Sequence, residues 1–286
     1  MFTDDQVVPT RLEVLIELLQ NNPEGLARDW IYELLQPASL NGGNHNAATA
    51  TVSAALELNV ATEVKPKKLI VLSRGLEKVS AREAILDAFD KRVLCSTEVE
   101  PYFATFYSFL LNNPERSLQA VHSIPDYLEQ TFGARRPANV FNETKLRGLF
   151  RWFSYVGLGW FDPQDNFQPL PYERLARSLP SIFSSKRKMN SEEWMKKLAA
   201  NCPELDGGAL FMEANRGWQE SSRQCSIGLG NALLELEHDG LLKISRPADS
   251  AGWSMVNVDP PTDDSSDRHG ARISFIELVE EKRKRS

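Results

Sequence analysis

The stretch Ser221–Val256, SSRQCSIGLGNALLELEHDGLLKISRPADSAGWSMV, decides how this chain is read. Ile227, Leu229, Leu233, Leu234 and Leu236 recur at the spacing of one buried helix face, and Gly240 is the residue type that stops a helix. Ser221, Ser222, Arg223 and Gln224 stand as the polar opening of that helix. After the stop, Leu241, Leu242 and Ile244 form a short apolar run, SRPADSAG a turn, and Trp253, Met255 and Val256 a second run. Helix, strand, turn, strand is the order of a recognition helix and wing, the second half of a winged helix.

The same unit is expected twice more. Thr10 is placed to cap a helix carrying Leu12, Leu15, Ile16, Leu18 and Leu19, which Asn21, Asn22 and Pro23 stop. A second helix covers Leu26 to Leu35 and a third Ala47 to Leu58. Val60, Ala61 and Val64, the basic turn KPKK and Leu69 to Leu72 then read as a hairpin. In the middle copy, Asn142 caps a helical stripe of Leu146, Leu149, Phe150, Phe153 and Val156 that Gly157 closes. Trp160 and Phe161 open a strand, DPQDN turns, and Phe167 to Leu170 returns as an edge strand with Pro169. Helices over Leu76–Phe89, Tyr102–Leu111 and Ile124–Phe132 brace it. The expected fold is mainly α with small β-hairpin wings (α+β), two to three winged-helix units joined by helices. The expected divisions are 1–75, 76–180 and 186–258, with 184–190 as a linker and 259–286 as linker and basic tail. The element over Ile273 to Leu278 is left open between strand and helix.

With 286 residues, 42% hydrophobic and 25% charged, the chain has the composition of a globular protein with two or three small cores and not of a disordered adaptor. No run approaches the roughly twenty apolar residues of a membrane helix, and MFTDDQVVPT lacks the basic start and apolar core of a signal peptide, so a cytoplasmic protein without membrane contact is expected. Cys95, Cys202 and Cys225 are odd in number and never spaced CxxC, which predicts reduced thiols, no disulfide framework and no zinc cage.

Catalytic motifs fail residue by residue. Gly157-Leu158-Gly159 and Gly228-Leu229-Gly230 meet Asp162 and Leu233 where a third phosphate-loop glycine belongs. His45, His122, His238 and His269 lack metal-ligand spacing. Asp126 with Glu143 and Lys145 matches the letters PD…ExK of metal-dependent nucleases, but that chemistry needs carboxylates on neighbouring strands, whereas Asp126 opens an apparent helix and Glu143 follows a cap. No enzyme and no cofactor are expected.

Binding remains. A net charge of −6 excludes a protein coated in phosphate-binding surface, so contact with duplex DNA must be local. The basic clusters are Lys65, Lys67 and Lys68; Arg135 and Arg136; Lys186, Arg187 and Lys188; and Lys282, Arg283, Lys284 and Arg285. In the first copy the presumed third helix, ATATVSAALELN, has no Lys or Arg, although its wing has three lysines. The third copy offers Arg216, Ser221, Ser222, Arg223 and Gln224 before its helix, with Lys243 and Arg246 in the wing, and is the expected DNA surface. The competing reading is a scaffold that touches only protein, which the acidic Glu235, Glu237 and Asp239 favour. Trp160 and Phe167 flank the turn DPQDN and are the expected partner-facing pair.

The opening VVPTRLEVLIELL, the segment TVSAALELNVATEV and the C-terminal SIGLGNALLELEHDGLL resemble the winged-helix accessory subunits of bacterial DNA-modification and phage-defence clusters, of the kind that places 7-deazaguanine derivatives in DNA. The resemblance covers the chain loosely, on motifs of fold and not of chemistry. It implies a non-catalytic component of a multi-protein machine acting on DNA, with partners encoded in the same gene cluster. It transfers no active-site residue. The alternatives are an autonomous winged-helix transcription regulator and the nuclease built on Asp126, Glu143 and Lys145.

Overall fold

The computed structural model describes residues 6–96, 99–113, 143–164, 166–218, 223–246, 252–255 and 272–279. The expected helix over 124–132, the cap at Asn142, Asp126 and the linker 259–270 lie outside the described residues. The protein is mainly helical with small antiparallel sheets. Its described residues pack into two compact units, one holding residues up to 103 with 143–156 and the other holding 104–113 with 157–279.

In the first unit, Pro9 opens α1 (Pro9–Gln20), where a missing N–H costs nothing, and Val8, not Thr10, is the cap residue. Leu12, Leu15, Ile16 and Leu19 are its buried stripe. Leu26 and Ala27, expected as the start of a helix, form the strand β1 (Leu26–Ala27) ahead of α2 (Arg28–Leu35). A short α3 (Ala38–Asn41) precedes α4 (Asn46–Glu57), whose first turn is fixed by the Gln36 side chain accepting from the Ala48 N–H at 3.1 Å. The hairpin β2 (Ala61–Val64) and β3 (Leu69–Leu72) follows, and β3 lies between β1 and β2. Its Ile70 pairs with both Leu26 and Glu63 and is fully buried.

The helices α5 (Ala81–Phe89) and α7 (Glu143–Tyr155) close this core. A capping box between Ser80 and Glu83 starts α5. On α7, Trp152 stacks on Phe89 at 5.3 Å between ring centres and donates Nε1–H to the Val7 carbonyl at 2.9 Å, so the one polar atom of a fully buried indole is satisfied. The helix α6 (Pro101–Asn112) belongs to the first unit through Phe103 and to the second from Ala104 on.

The second unit begins with the hairpin β4 (Gly159–Phe161) and β5 (Phe167–Pro169), as the sequence predicts. The Asp162 carboxylate holds its turn by accepting from the N–H groups of Gln164 and Asn166, both at 2.9 Å. Then come α8 (Tyr172–Ile182), β6 (Lys188–Asn190), α9 (Ser191–Asn201), α10 (Ala209–Ala214) and α11 (Ile227–His238). The strands β7 (Leu242–Ser245), β8 (Trp253–Ser254), β9 (Arg272–Ile273) and β10 (Phe275–Leu278) complete it.

Two expectations are corrected here. Residues 188–190, read as linker, are a strand. The partner of β7 is not 253–256 but β10, which lies between β6 and β7 with Ile276 opposite both Met189 and Ile244; β8 pairs instead with β9. All three of those apolar side chains are buried, which is why the alternation Phe275-Ile276-Glu277-Leu278 takes the strand state. The two units thereby share a pattern: a helix, a first strand, further helices, then strands of which the last is central in a three-stranded antiparallel sheet, with β8 and β9 standing between β7 and β10 in the second unit.

Of the glycines read against a phosphate loop, Gly157, Gly159 and Gly228 sit where a Cβ would clash with a neighbour. A Cβ on Gly228 would collide with the Leu111 side chain, so α11 approaches α6 as closely as it does only because that position has no side chain. Because β10 is central in its sheet, a chain ending at Val258 should lose the cooperative unfolding of the second unit, whereas Ile276→Ala in the full chain should cost about 2–5 kcal/mol. Denaturant melts by circular dichroism check both; a chain ending at Val258 that melts like the full chain would refute the central placement of β10.

Candidate nucleic-acid interface

The residues assigned to DNA contact in the second unit do not open its last helix. The cap of α11 is Ser226, whose Oγ accepts from the Leu229 N–H at 3.3 Å. Asp206, fully buried in the loop between α9 and α10, accepts from the Ser226 N–H at 2.5 Å and from its hydroxyl at 2.8 Å, which fixes where the helix starts. Arg223 and Gln224 lie upstream of the helix. Arg223 has left-handed backbone (φ 49°), its carbonyl accepts from the Ser254 N–H at 2.7 Å, and Gln224 bridges Ser254. Ser221 and Ser222 lie outside the described residues.

Carboxylates neutralise much of the positive charge in this unit. The Arg223 guanidinium is bonded to Glu192, and Arg246 to Glu237 of α11. Lys186 pairs with Glu193 at 2.9 Å, and Lys188 faces Glu277 at 4.0 Å while lying over the Phe275 ring. Arg216, in the turn after α10, and Lys243, on β7, are exposed and make no ion pair among the described residues. The outward face of α11 is acidic: Glu235 and Asp239 are exposed, and Asp239 accepts a 2.5 Å hydrogen bond from Tyr172.

The first unit differs. Val64 pairs with Leu69, so Lys65–Lys68 is the entire loop between β2 and β3, and Lys65, Lys67 and Lys68 are all exposed. Among the described residues none of the three enters an ion pair. Glu63, the acidic residue of β2, is engaged by Arg28 at 3.2 Å. The outward residues of α4 are short and uncharged over most of its length, with Asn46 and Thr49 exposed and Ser53 half-exposed; Glu57 at its last position is its one charge.

The expected partner-facing pair splits. Trp160 is 49% exposed, but Phe167 is 1% exposed and is withdrawn from that role. The register explains the split. Trp160 stands opposite Gln168, so neighbouring Phe167 points to the other face of the hairpin. There its ring fills the space over Gly159, where an added Cβ would come within 2.5 Å of Phe167 Cζ. The exposed neighbour of Trp160 is Phe161, 38% exposed.

One cluster gave no sequence signal. Arg174 of α8 and Glu204, both buried, form a 2.8 Å ion pair, and Arg174 also donates to the Ser178 hydroxyl at 2.5 Å and the Asn201 carbonyl at 3.2 Å. Ser108 of α6 donates to the Glu204 carbonyl at 2.7 Å, and Asn215 donates to the Ser108 carbonyl at 3.0 Å. These bonds anchor the loop after α9 to α6 and α8. Burial, reinforced by Asp206, pushes the Cys225 thiol up, away from the thiolate range. No group of three or more His, Cys, Asp or Glu suited to a metal ion occurs among the described residues, and none of the described helices is long and apolar enough to cross a membrane.

Fold and site together define a helix-rich α+β protein in which three exposed lysines without an ion pair among the described residues, Lys65, Lys67 and Lys68, share one strand turn. The chain belongs to the DpdG-like family, whose model matches residues 1–250, from α1 through β7. The match agrees with the family resemblance carried by the three sequence motifs. A search of curated proteins and a search of solved structures each return no match.

Burial pushes the Asp206 carboxyl up to about 6, against the two Ser226 hydrogen bonds that favour its ionised form. Its folded pKa thus exceeds the unfolded value of about 3.9, so the stability linked to it is complete below about pH 4 and lost as pH rises through the folded value. Unfolding free energies of the wild type should therefore decline by on the order of 2–3 kcal/mol relative to Asp206→Asn between pH 4 and pH 7. Parallel pH profiles for the two proteins would show that Asp206 does not titrate in this way.

Proposed function

We propose that this chain is a non-catalytic DNA-binding and scaffold subunit of a bacterial DNA-modification or anti-phage defence complex, working in the cytoplasm with protein partners from the same gene cluster. Membership of the DpdG-like family suggests a role in a DNA-modification system. One observation supports the finer reading: the first unit runs helix, strand, helices, strand, strand with the last strand central, and the second keeps that order with β8 and β9 set between its last two sheet strands, β7 and β10. That is the order of a winged helix, a scaffold that presents a helix and a hairpin turn to a duplex.

A non-catalytic role is supported by the use of the buried titratable groups. Arg174, Glu204 and Asp206 are consumed in tying loops to helices and are closed to solvent. Glu143 and Lys145 stand on one helix, α7, whereas a two-carboxylate metal site of the nuclease type needs neighbouring strands. Of the cations assigned to DNA contact in the second unit, Arg216 and Lys243 make no ion pair among the described residues and remain to meet phosphate. Trp160 is the exposed aromatic proposed to face a protein partner.

Purified protein incubated with plasmid and Mg²⁺ or Mn²⁺ should leave the DNA intact, and Glu143→Ala should behave identically; cleavage by the wild type that this variant abolishes would restore the nuclease. Duplex binding should be weak and decline as salt rises, because few phosphates are neutralised.

Trp160→Ser should leave the melting temperature within about 2 °C while co-purification with the neighbouring gene products is lost. Phe167→Ser should instead destabilise by about 3–5 kcal/mol. Retained co-purification of the Trp160 variant removes this residue from the partner surface.

A further inference from the structure

We infer that the phosphate-gripping surface of this chain is the Lys65–Lys68 turn of the first unit together with the outward face of α4, and that its ligand is the backbone of B-form DNA, read without base preference. The inference rests on the DNA-binding reading above and relocates the contact from the second unit, where the sequence places it.

Attraction to a polyphosphate depends on cations that are exposed and not already neutralised, since each such contact releases condensed counterions. In the second unit Arg223, Arg246 and Lys186 are bonded to carboxylates, Lys188 faces another at 4.0 Å, and α11 turns Glu235 and Asp239 outward. A duplex approaching α11 would meet like charge. In the first unit the three lysines crowd one four-residue loop, make no ion pair among the described residues, and have the nearest strand carboxylate, Glu63, held by Arg28. Among the described residues, these three cations within four positions form the densest group without ion pairs.

The helix that leads into this hairpin completes the proposed surface. The chain leaves α4 through Asn59 in left-handed backbone (φ 58°) and enters β2 directly, so helix and turn belong to one continuous segment, 46–68. Asn46, Thr49 and Ser53 are short and neutral, so they add no repulsion and let the helix backbone come close to a groove. The helix α4 has no Arg, Lys or Gln, and Asn46 at its first position is its one side chain of a type that pairs bidentately with a base. The expected binding is therefore set by phosphate and shape, not by sequence.

Fluorescence anisotropy with a labelled 20-base-pair duplex tests this on the full chain. The variant K65E/K67E/K68E should raise Kd about ten-fold or more in 50 mM salt and reduce the slope of log K against log salt by about 2–3, at roughly 0.9 per phosphate contact. Thr49→Glu should weaken binding in the same direction, R216E/K243E should change Kd less than three-fold, and AT-rich and GC-rich duplexes should bind within three-fold of each other. All these substitutions fall on exposed residues, and an unchanged melting temperature certifies the fold. If R216E/K243E abolishes binding while the lysine variant keeps it, the inference is overturned and the second unit is the DNA surface. If the wild type binds no duplex at 50 mM salt, the DNA-binding reading itself fails, and the chain is left as a protein scaffold.

Discussion

A last strand hydrogen-bonded on both edges is the constraint on which each unit depends. β3 lies between β1 and β2, and β10 lies between β6 and β7. Without the central strand, two or three residues of β1 or β6 have nothing to pair with, since so short a strand is not stable alone. With it, the strand that precedes the second helix is fastened to the pair that follows the last one, and the helices between are closed over Ile70 in one unit and Ile276 in the other. In the second unit the central strand arrives only after the long segment 246–274, so its pairing is a contact between parts distant in sequence.

That distance explains what the sequence disclosed and what it hid. The stripes of α1, α4, α7 and α11 and the β4–β5 hairpin were legible, because each is specified by a local period or a turn such as DPQDN. β1 and β6 were not: a strand of two or three residues is too short to show a period, and Leu26-Ala27 runs straight into helical residues. β10 has only four residues, and its pairing partner is neither adjacent nor marked. The ion pair of Arg174 with Glu204 joins α8 to a loop thirty positions away and leaves no spacing to read. Phe167 was misplaced because the register, not the letter, decides its face: opposition of Trp160 to Gln168 sends Phe167 inward.

The placement of Arg223 and Gln224 shows the same limit for residues expected to touch DNA. Their position just before an apolar stripe fits a polar helix start, but Asp206 binds Ser226 and sets the cap three residues beyond Arg223. The charges of the two units then part. The second unit engages several of its cations with carboxylates, which adds little stability at a surface and cancels long-range attraction. The first leaves Lys65, Lys67 and Lys68 exposed at one turn. In a chain of net charge −6, such a local difference decides which face a polyanion approaches.

Lysine footprinting measures that difference directly. Acetylating the protein with and without duplex DNA and reading each lysine by mass spectrometry gives every site its own protection. The account predicts that DNA shields Lys65, Lys67 and Lys68 and leaves Lys243 reactive. Protection of Lys243 with unchanged reactivity at Lys65, Lys67 and Lys68 would contradict it.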